Sequence, residues 1–190
     1  MRLFPKFATS MNKTVTLYDK SFEIYLDEKQ IHESVQSIAN QLNEDYRGQK
    51  VLFISILNGS FMFTSDLMKL VEVEMEISFM KVRSYVGTES SGRVDELIGL
   101  TTSVTGKNLV ILEDIVDTGI TVDKIIKLLQ IQNPNSIEVC AMLFKKEAFQ
   151  GQQPPKYFGF EIPNKFVVGY GLDYDEAGRN LPEIYQLIEK

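Results

Sequence analysis

The sequence predicts an α/β fold, with a mostly parallel sheet of about five strands flanked by helices on both faces. Three observations point to it. First, residues 51–57, 109–112 and 137–144 are nearly continuous apolar runs rich in Val, Ile, Leu and Phe. Such runs suit strands covered on both faces. Second, stretches with apolar residues at helical spacing alternate with them, the pattern of βαβ units. Third, two of the runs break into short polar turns, Asn58-Gly59-Ser60 and Asp117-Thr118-Gly119, and a helical pattern resumes directly afterwards. In open sheets of this kind ligands lie across the carboxyl ends of the strands.

The elements follow in order. Residues 1–13 read as a loose N-terminal extension, with Met11 an alternative start. This segment carries Arg2 and Lys6 but no apolar core, so it is not a secretory signal. Residues 14–26 contain two short β-prone pieces around Asp19-Lys20. Asp27 with Gln30 makes a capping box, and Ile31, Val35, Ile38 and Leu42 mark an amphipathic helix ending near Tyr46-Arg47-Gly48. His32, the only histidine, sits beside that apolar stripe and reads as a surface or half-buried helix residue. After the 51–57 strand, residues 61–71 read as a helix. Residues 76–84 are strand-like, with Ile77, Phe79 and Val82 packing, and residues 86–94 have the composition of a mobile loop. Gly106-Lys107 turns the chain into the central strand. Asn133-Pro134-Asn135 stops the helix that follows. A connection rich in Gly, Gln and Pro spans 150–155, and residues 181–190 form a short helical or extended tail.

Composition narrows the function. A chain of 190 residues suits a single domain with a core of its own. Its 44% hydrophobic and 24% charged residues are those of a globular protein. The net charge of −6 leaves no basic footprint for nucleic acid and no polybasic membrane patch. No apolar run approaches the roughly 20 residues of a membrane span. The single cysteine, Cys140, forms no internal disulfide and fits a reducing compartment, hence a cytoplasmic location.

The chemistry concentrates in residues 109–122. The apolar strand ends in adjacent carboxylates, Glu113 and Asp114, with Asp117 three residues on and then Thr118-Gly119-Ile120-Thr121. A strand-turn-helix exposes backbone N–H groups and the positive helix end, a seat for phosphate. Thr118 and Thr121 add hydroxyl donors, and Gly119 permits close backbone approach. Two carboxylates beside an anion seat favour neutral hydroxyl partners, such as the vicinal diol of a ribose. Together these residues read as a ribose-5-phosphate site. An acidic cluster that merely caps the helix is the plainer alternative.

The string Leu-Glu-Asp-Ile-Val-Asp-Thr-Gly-Ile-Thr at 112–121 resembles the phosphoribosyl diphosphate (PRPP) motif of type I phosphoribosyltransferases. A second stretch, Phe-Glu-Ile-Pro-Asn-Lys-Phe-Val-Val-Gly-Tyr-Gly-Leu-Asp-Tyr at 160–174, resembles the hypoxanthine-guanine branch of that family. The resemblance implies a type I phosphoribosyltransferase fold. Its small hood is drawn from the N-terminal segment and part of residues 145–190. The activity implied is Mg²⁺-dependent transfer of 5-phosphoribosyl from PRPP to hypoxanthine or guanine, giving IMP or GMP and pyrophosphate. Homodimers or homotetramers are implied as well.

The resemblance also assigns roles. Glu113, Asp114, Thr118, Gly119, Ile120 and Thr121 bind PRPP, and Asp117 is catalytic. Leu57, Asn58, Gly59, Ser84, Tyr85 and Arg179 bind pyrophosphate, with Ser84-Tyr85 leading a lid. Lys145, Phe166, Val167 and Asp173 bind the base, and Glu113, Asp114 and Asp173 serve the metal. Lys81 and Arg83 match basic positions near pyrophosphate. A non-proline cis peptide is implied between Leu57 and Asn58. Two positions depart from the pattern: Asn58 stands where many relatives carry Lys or Arg, and Ile120 where a polar residue is common. Read without the resemblance, Phe166 is a core aromatic, Asp173 a turn residue and Arg179 a surface cation. A PRPP- or nucleotide-sensing regulator on the same fold is the alternative class, and it requires a basic face. A dinucleotide enzyme fares worse, because no G-x-G-x-x-G follows a strand.

Overall fold

Strand and helix alternate as the apolar runs require, and the computed structural model describes residues 14–83, 95–100 and 102–189. The elements are β1 (Thr14–Leu17), β2 (Lys20–Leu26), α1 (Glu28–Asp45), β3 (Val51–Ile56), α2 (Phe61–Met68), β4 (Met75–Arg83) and β5 (Asp95–Ile98). They continue with β6 (Asn108–Val116), α3 (Ile120–Gln130), β7 (Ser136–Phe144), β8 (Tyr157–Glu161), β9 (Val167–Val168) and β10 (Ile184–Leu187).

The main sheet runs β5-β4-β3-β6-β7-β8. Strands β4, β3, β6, β7 and β8 are mutually parallel, and β5 adds an antiparallel edge. The five expected strands are thus joined by a sixth. Alternate side chains along each central strand serve opposite faces. Phe53, Val110, Leu112 and Met142 pack with α1 and α2. Ile54, Ile111 and Ala141 pack with α3.

Helix α1 begins in the expected capping box. Asp27 Oδ1 accepts the Gln30 N–H at 2.8 Å, and Gln30 Oε1 accepts the Asp27 N–H at 3.0 Å. Such a cap stabilises by about 1 kcal/mol. The buried Ile31, Val35, Ile38 and Leu42 contribute roughly 1.5–3 kcal/mol each. Packing therefore holds the helix, and the cap sets where it starts. His32 is exposed, as expected, and Cys140 is fully buried.

A second sheet, ordered β1-β2-β10-β9 and antiparallel throughout, forms the hood. Phe22, Val168 and Tyr185 are its buried core. Within the tail, Ile184–Leu187 is the extended strand β10, which lies between β2 and β9.

Three expectations are corrected. Strand β6 continues through Glu113 and Asp114 to Val116, so the carboxylates lie within the strand and not at its end. The parallel pairing with β7 runs on to Val116 and carries the strand past the polar residues. Helix α2 ends at Met68 instead of residue 71. On β4, Ile77 and Phe79 face outward at 40% and 42% exposure, while Ser78 and Met80 pack inward. The apolar pair lies on the face of a near-edge strand that no helix fully covers.

Candidate functional site

The phosphate turn is built where β6 passes into α3. Gly119 caps the helix with φ of +79°, a conformation that strains any L side chain. A Cβ there would also stand 2.4 Å from the Phe149 ring. Gly119 is therefore required twice over, by its backbone conformation and by its neighbour. Thr118 Oγ1 accepts the Ile120 N–H at 3.5 Å. Among the described residues, no acceptor meets the amides of Thr118, Gly119 or Thr121. These amides and the helix end form an anion seat. The Ile120 side chain is exposed, so only its backbone belongs to the turn.

Strand alternation sends Glu113 and Asp114 to opposite sides of β6. Asp114 lies against Gly59, since a Cβ on Gly59 would fall 1.5 Å from Asp114 Oδ2. Its Oδ1 accepts the Ile115 N–H at 2.9 Å. Burial pushes the Asp114 carboxyl up to about 6, against the pull of the Ile115 amide and the Arg179 cation, with Asp173 adding repulsion. Glu113 is buried as well. Desolvation, and then the charge of Asp114, hold its carboxyl well above the usual carboxylate range.

The second strand-turn-helix, β3 into α2, faces the same region. The Leu57–Asn58 peptide is cis, at the position the resemblance implied. A buried hydroxyl cluster lies beneath this loop. Ser55 Oγ is 2.7 Å from Ser60 Oγ and 2.8 Å from Thr64 Oγ1, and Ser60 Oγ donates to the Ile56 carbonyl at 2.6 Å. Lys81 Nζ donates to Asn58 Oδ1 at 3.3 Å, which brings a cation to the loop at the residue that departs from the family pattern.

The segment after β9 closes over that loop. A Cβ on Gly171 would meet the Gly59 carbonyl at 1.9 Å. Arg179 Nη1 donates to the Gly171 carbonyl at 2.9 Å, and its Nη2 pairs with Asp173 at 2.7 Å and Glu176 at 3.1 Å. Arg179 Nε is buried with no partner among the described residues, a donor left over for a ligand.

On the other side of the turn, Lys145 Nζ pairs with Asp117 Oδ2 at 2.8 Å and reaches Asn164 Oδ1 at 3.4 Å. Lys145 is buried and Asp117 half-buried, so the pair is partly shielded from solvent. Asn164 precedes Phe166, whose ring is 43% exposed. This is the exposure of a platform, not of a core aromatic. Val167 is buried in β9 and pairs with β10 opposite Gln186.

The structure thus gathers two groups beside the phosphate turn. One is Asp114 with Leu57, Asn58, Gly59, Asp173 and Arg179. The other is Asp117 with Lys145. Ser84, Tyr85 and the lid they lead lie outside the described residues. Among the described residues no group of three His, Cys, Asp or Glu is arranged to hold a metal ion by itself. Several positioning residues escaped sequence reasoning. Phe149 packs under Gly119 and against Phe144 at 5.4 Å. Gln150 N donates to Thr118 O at 2.9 Å, and Gln152 N donates to the Asp123 carboxylate. The 149–152 segment therefore braces the phosphate turn. Its Gly/Gln/Pro composition signals only a connection. The Ser55, Ser60 and Thr64 hydroxyls likewise lie at ordinary strand and helix positions, and nothing in their spacing marks a cluster.

Comparison with known proteins gives a consistent picture. A phosphoribosyl transferase domain model matches residues 21–175. The hypoxanthine-guanine phosphoribosyltransferase of Dictyostelium discoideum is 40% identical over 175 residues, covering 90% of this chain and 97% of the relative. That of Staphylococcus aureus is 43% identical over 163 residues, covering 85% of this chain and 91% of the relative. A crystal structure of a Staphylococcus aureus hypoxanthine phosphoribosyltransferase superposes with a TM-score of 0.83 at 42% identity, covering 87% of this chain and 91% of the other.

Proposed function

We propose a reaction from one premise: the chain belongs to the phosphoribosyltransferase family. It transfers the 5-phosphoribosyl group of PRPP to N9 of hypoxanthine or guanine, giving IMP or GMP and pyrophosphate, a purine-salvage step. The bond from the anomeric carbon to the pyrophosphate oxygen breaks, a bond to N9 forms, and the proton of the imidazole ring leaves. The observation that carries this reading is the Asp117–Lys145 pair at 2.8 Å, set beside free amides of the phosphate turn on the same strand-turn-helix.

Each residue has a task. The amides of Thr118, Gly119 and Thr121 hold the 5′-phosphate, a non-reacting handle that fixes orientation. Asp114 accepts hydrogen bonds from the ribose hydroxyls, and its field, with Glu113 buried behind it in the strand, favours the oxocarbenium-like anomeric centre. Asp117 Oδ1, which has no partner among the described residues, accepts the imidazole N–H and is the candidate base. Lys145 donates to the 6-oxo group, which admits hypoxanthine and guanine and rejects the 6-amino group of adenine. Phe166 stacks on the ring and the Val167 backbone reads its edge. Arg179, with its unpartnered Nε, and the backbone of Leu57, Asn58 and Gly59 receive the pyrophosphate.

A divalent cation fits this chemistry. Asp114 feels the repulsion of Asp173, which a bound cation would relieve. Mg²⁺ keeps several waters and combines one or two carboxylates with substrate phosphates, so it needs no closed protein cage. Asp114 and Asp173 are the carboxylates that would hold it, while Glu113, expected to join them, is buried on the other side of β6. When bound, Mg²⁺ neutralises the departing pyrophosphate.

We extend the proposal to a homodimer or homotetramer, supported by the exposed Ile77 and Phe79 and tested by sedimentation. A cytoplasmic location is supported by the lone, unpaired cysteine. Among the described residues no helix is long and apolar enough to cross a membrane. Nothing favours a PRPP-sensing regulator, because the relatives at 40–43% identity bear enzyme names. The test is formation of IMP from hypoxanthine, PRPP and Mg²⁺ with and without protein. Equal IMP in both arms removes the proposal.

A further inference from the structure

The turn between β1 and β2, residues 17–20, lies far in sequence from every motif, yet it grips the hood where Phe166 sits. Tyr174 OH donates to Asp19 Oδ1 at 2.8 Å, and Tyr18 OH donates to the Asp175 carbonyl at 3.3 Å. The Tyr18 and Tyr174 rings meet edge-on at 6.1 Å. Lys20 Nζ stands over two rings at once, 4.4 Å from the Tyr174 centroid and 5.5 Å from that of Phe166. The Tyr174 and Phe166 rings meet nearly at right angles, 5.9 Å apart, and the fully buried Phe22 supports Phe166 at 6.2 Å.

We propose that Lys20 is a positioning residue for the heterocycle, setting Phe166 through the Lys20–Tyr174–Phe166 cluster. The inference rests on the reading of Phe166 as the base platform. The physical basis is as follows. Phe166 is 43% exposed, so its ring angle is held by the neighbours on its covered side and not by core packing all round. An ammonium over an aromatic face is attracted by the ring quadrupole, and edge-to-face contact fixes the angle between the two rings. Asp19 ties the Tyr174 hydroxyl, which restrains the Tyr174 ring beside the platform. A stacking platform that is already oriented spares the base the cost of ordering it. The phosphate turn and the Arg179 corner lie on other elements, so this effect belongs to the base and not to PRPP.

The test compares Lys20→Met, which keeps the apolar stem, with Lys20→Arg, which keeps the charge, and with Tyr174→Phe, which frees the ring from Asp19. Removing a partly exposed cation–π contact corresponds to about a two- to fivefold change. The expected result is that Lys20→Met and Tyr174→Phe raise the KM for hypoxanthine by about that factor, with the KM for PRPP and the melting temperature unchanged. Lys20→Arg restores the wild-type value. Calorimetric titration with GMP, which carries the base, and with PRPP, which lacks it, should show weakening for GMP alone. Equal shifts in both KM values, or no shift in either, overturn the role of Lys20. If the wild-type protein forms no IMP, the reaction itself is misassigned, and that outcome is read before any variant is measured.

Discussion

At the scale of single residues, the Asp117–Lys145 contact makes two assignments interdependent. Asp117→Asn should lower turnover by about a hundredfold, the worth of a general base, with a much smaller change in PRPP affinity. Lys145→Ala should weaken discrimination between hypoxanthine and adenine and leave PRPP binding nearly intact. The side chains touch at 2.8 Å, so the double variant should lose less than the sum of the two. A coupling of about 0.5–3 kcal/mol is expected for groups in contact. Steady-state kinetics of the four proteins measure it, and simple additivity would show that the pair does not act as a unit. Asp117 stands out in the sequence because it falls at a fixed place in the 112–121 string, whereas Lys145 lies outside both quoted strings and only the family resemblance singles it out. Phe149 was not. It supports Gly119 from across the fold, and a phenylalanine in a polar connection carries no mark of what it touches.

At the scale of elements, the two turns depend on what lies beneath them. Gly119→Ala places a methyl 2.4 Å from the Phe149 ring at a positive φ. It should cost about 1–2 kcal/mol of stability, and by displacing the anion seat raise the PRPP KM about tenfold or more. Denaturant unfolding and kinetics read the two effects separately. Ser60→Ala removes the donor to the Ile56 carbonyl and the partner of Ser55. Leaving a buried acceptor unpaired costs about 1–3 kcal/mol. Replacing Ser55, Ser60 and Thr64 together by apolar residues of similar size should cost no more than Ser60→Ala alone, since no hydroxyl is then stranded and only the Ile56 carbonyl stays unpaired. A triple variant that is the least stable of the set would overturn this account. The element types were legible from apolar runs and turn residues, but their extents were less so. Strand β6 outruns its apolar stretch because pairing with β7 carries it through the acids. The inward face of β4 was misassigned because its apolar pair, Ile77 and Phe79, faces away from the core.

At the scale of the whole molecule, β3, β4 and β6 are tied at their starts by charge. Lys107 and Lys50 both bind Glu76, and these two hydrogen bonds, with desolvation opposing them, hold its carboxyl down to about 2 from an ordinary 4.5. A depressed carboxylate stabilises the fold above its unfolded pKa and is lost as it protonates. The contribution is therefore complete above about pH 4.5 and disappears toward about pH 2. Glu76→Gln should flatten the fall of melting temperature across that window and change little near neutrality beyond a uniform offset. High salt should shrink the difference between the two proteins, because the group is partly open to solvent. Parallel melting curves for the two proteins between those limits would refute it. The doubly covered main sheet was evident from the chain alone. The hood was not visible in any periodicity, since its strands are short and far apart in sequence, and only the family resemblance implied it.

The place of β10 between β2 and β9 has a consequence for biosynthesis. A ribosome delivers β1 and β2 well before β10, the strand that must lie beside β2. Until then the β2 edge presents unpaired amides and carbonyls, and Phe22 lacks two of the residues that bury it, Val168 and Tyr185. The hood that carries the base platform therefore cannot close around Phe22 until β10 is in place.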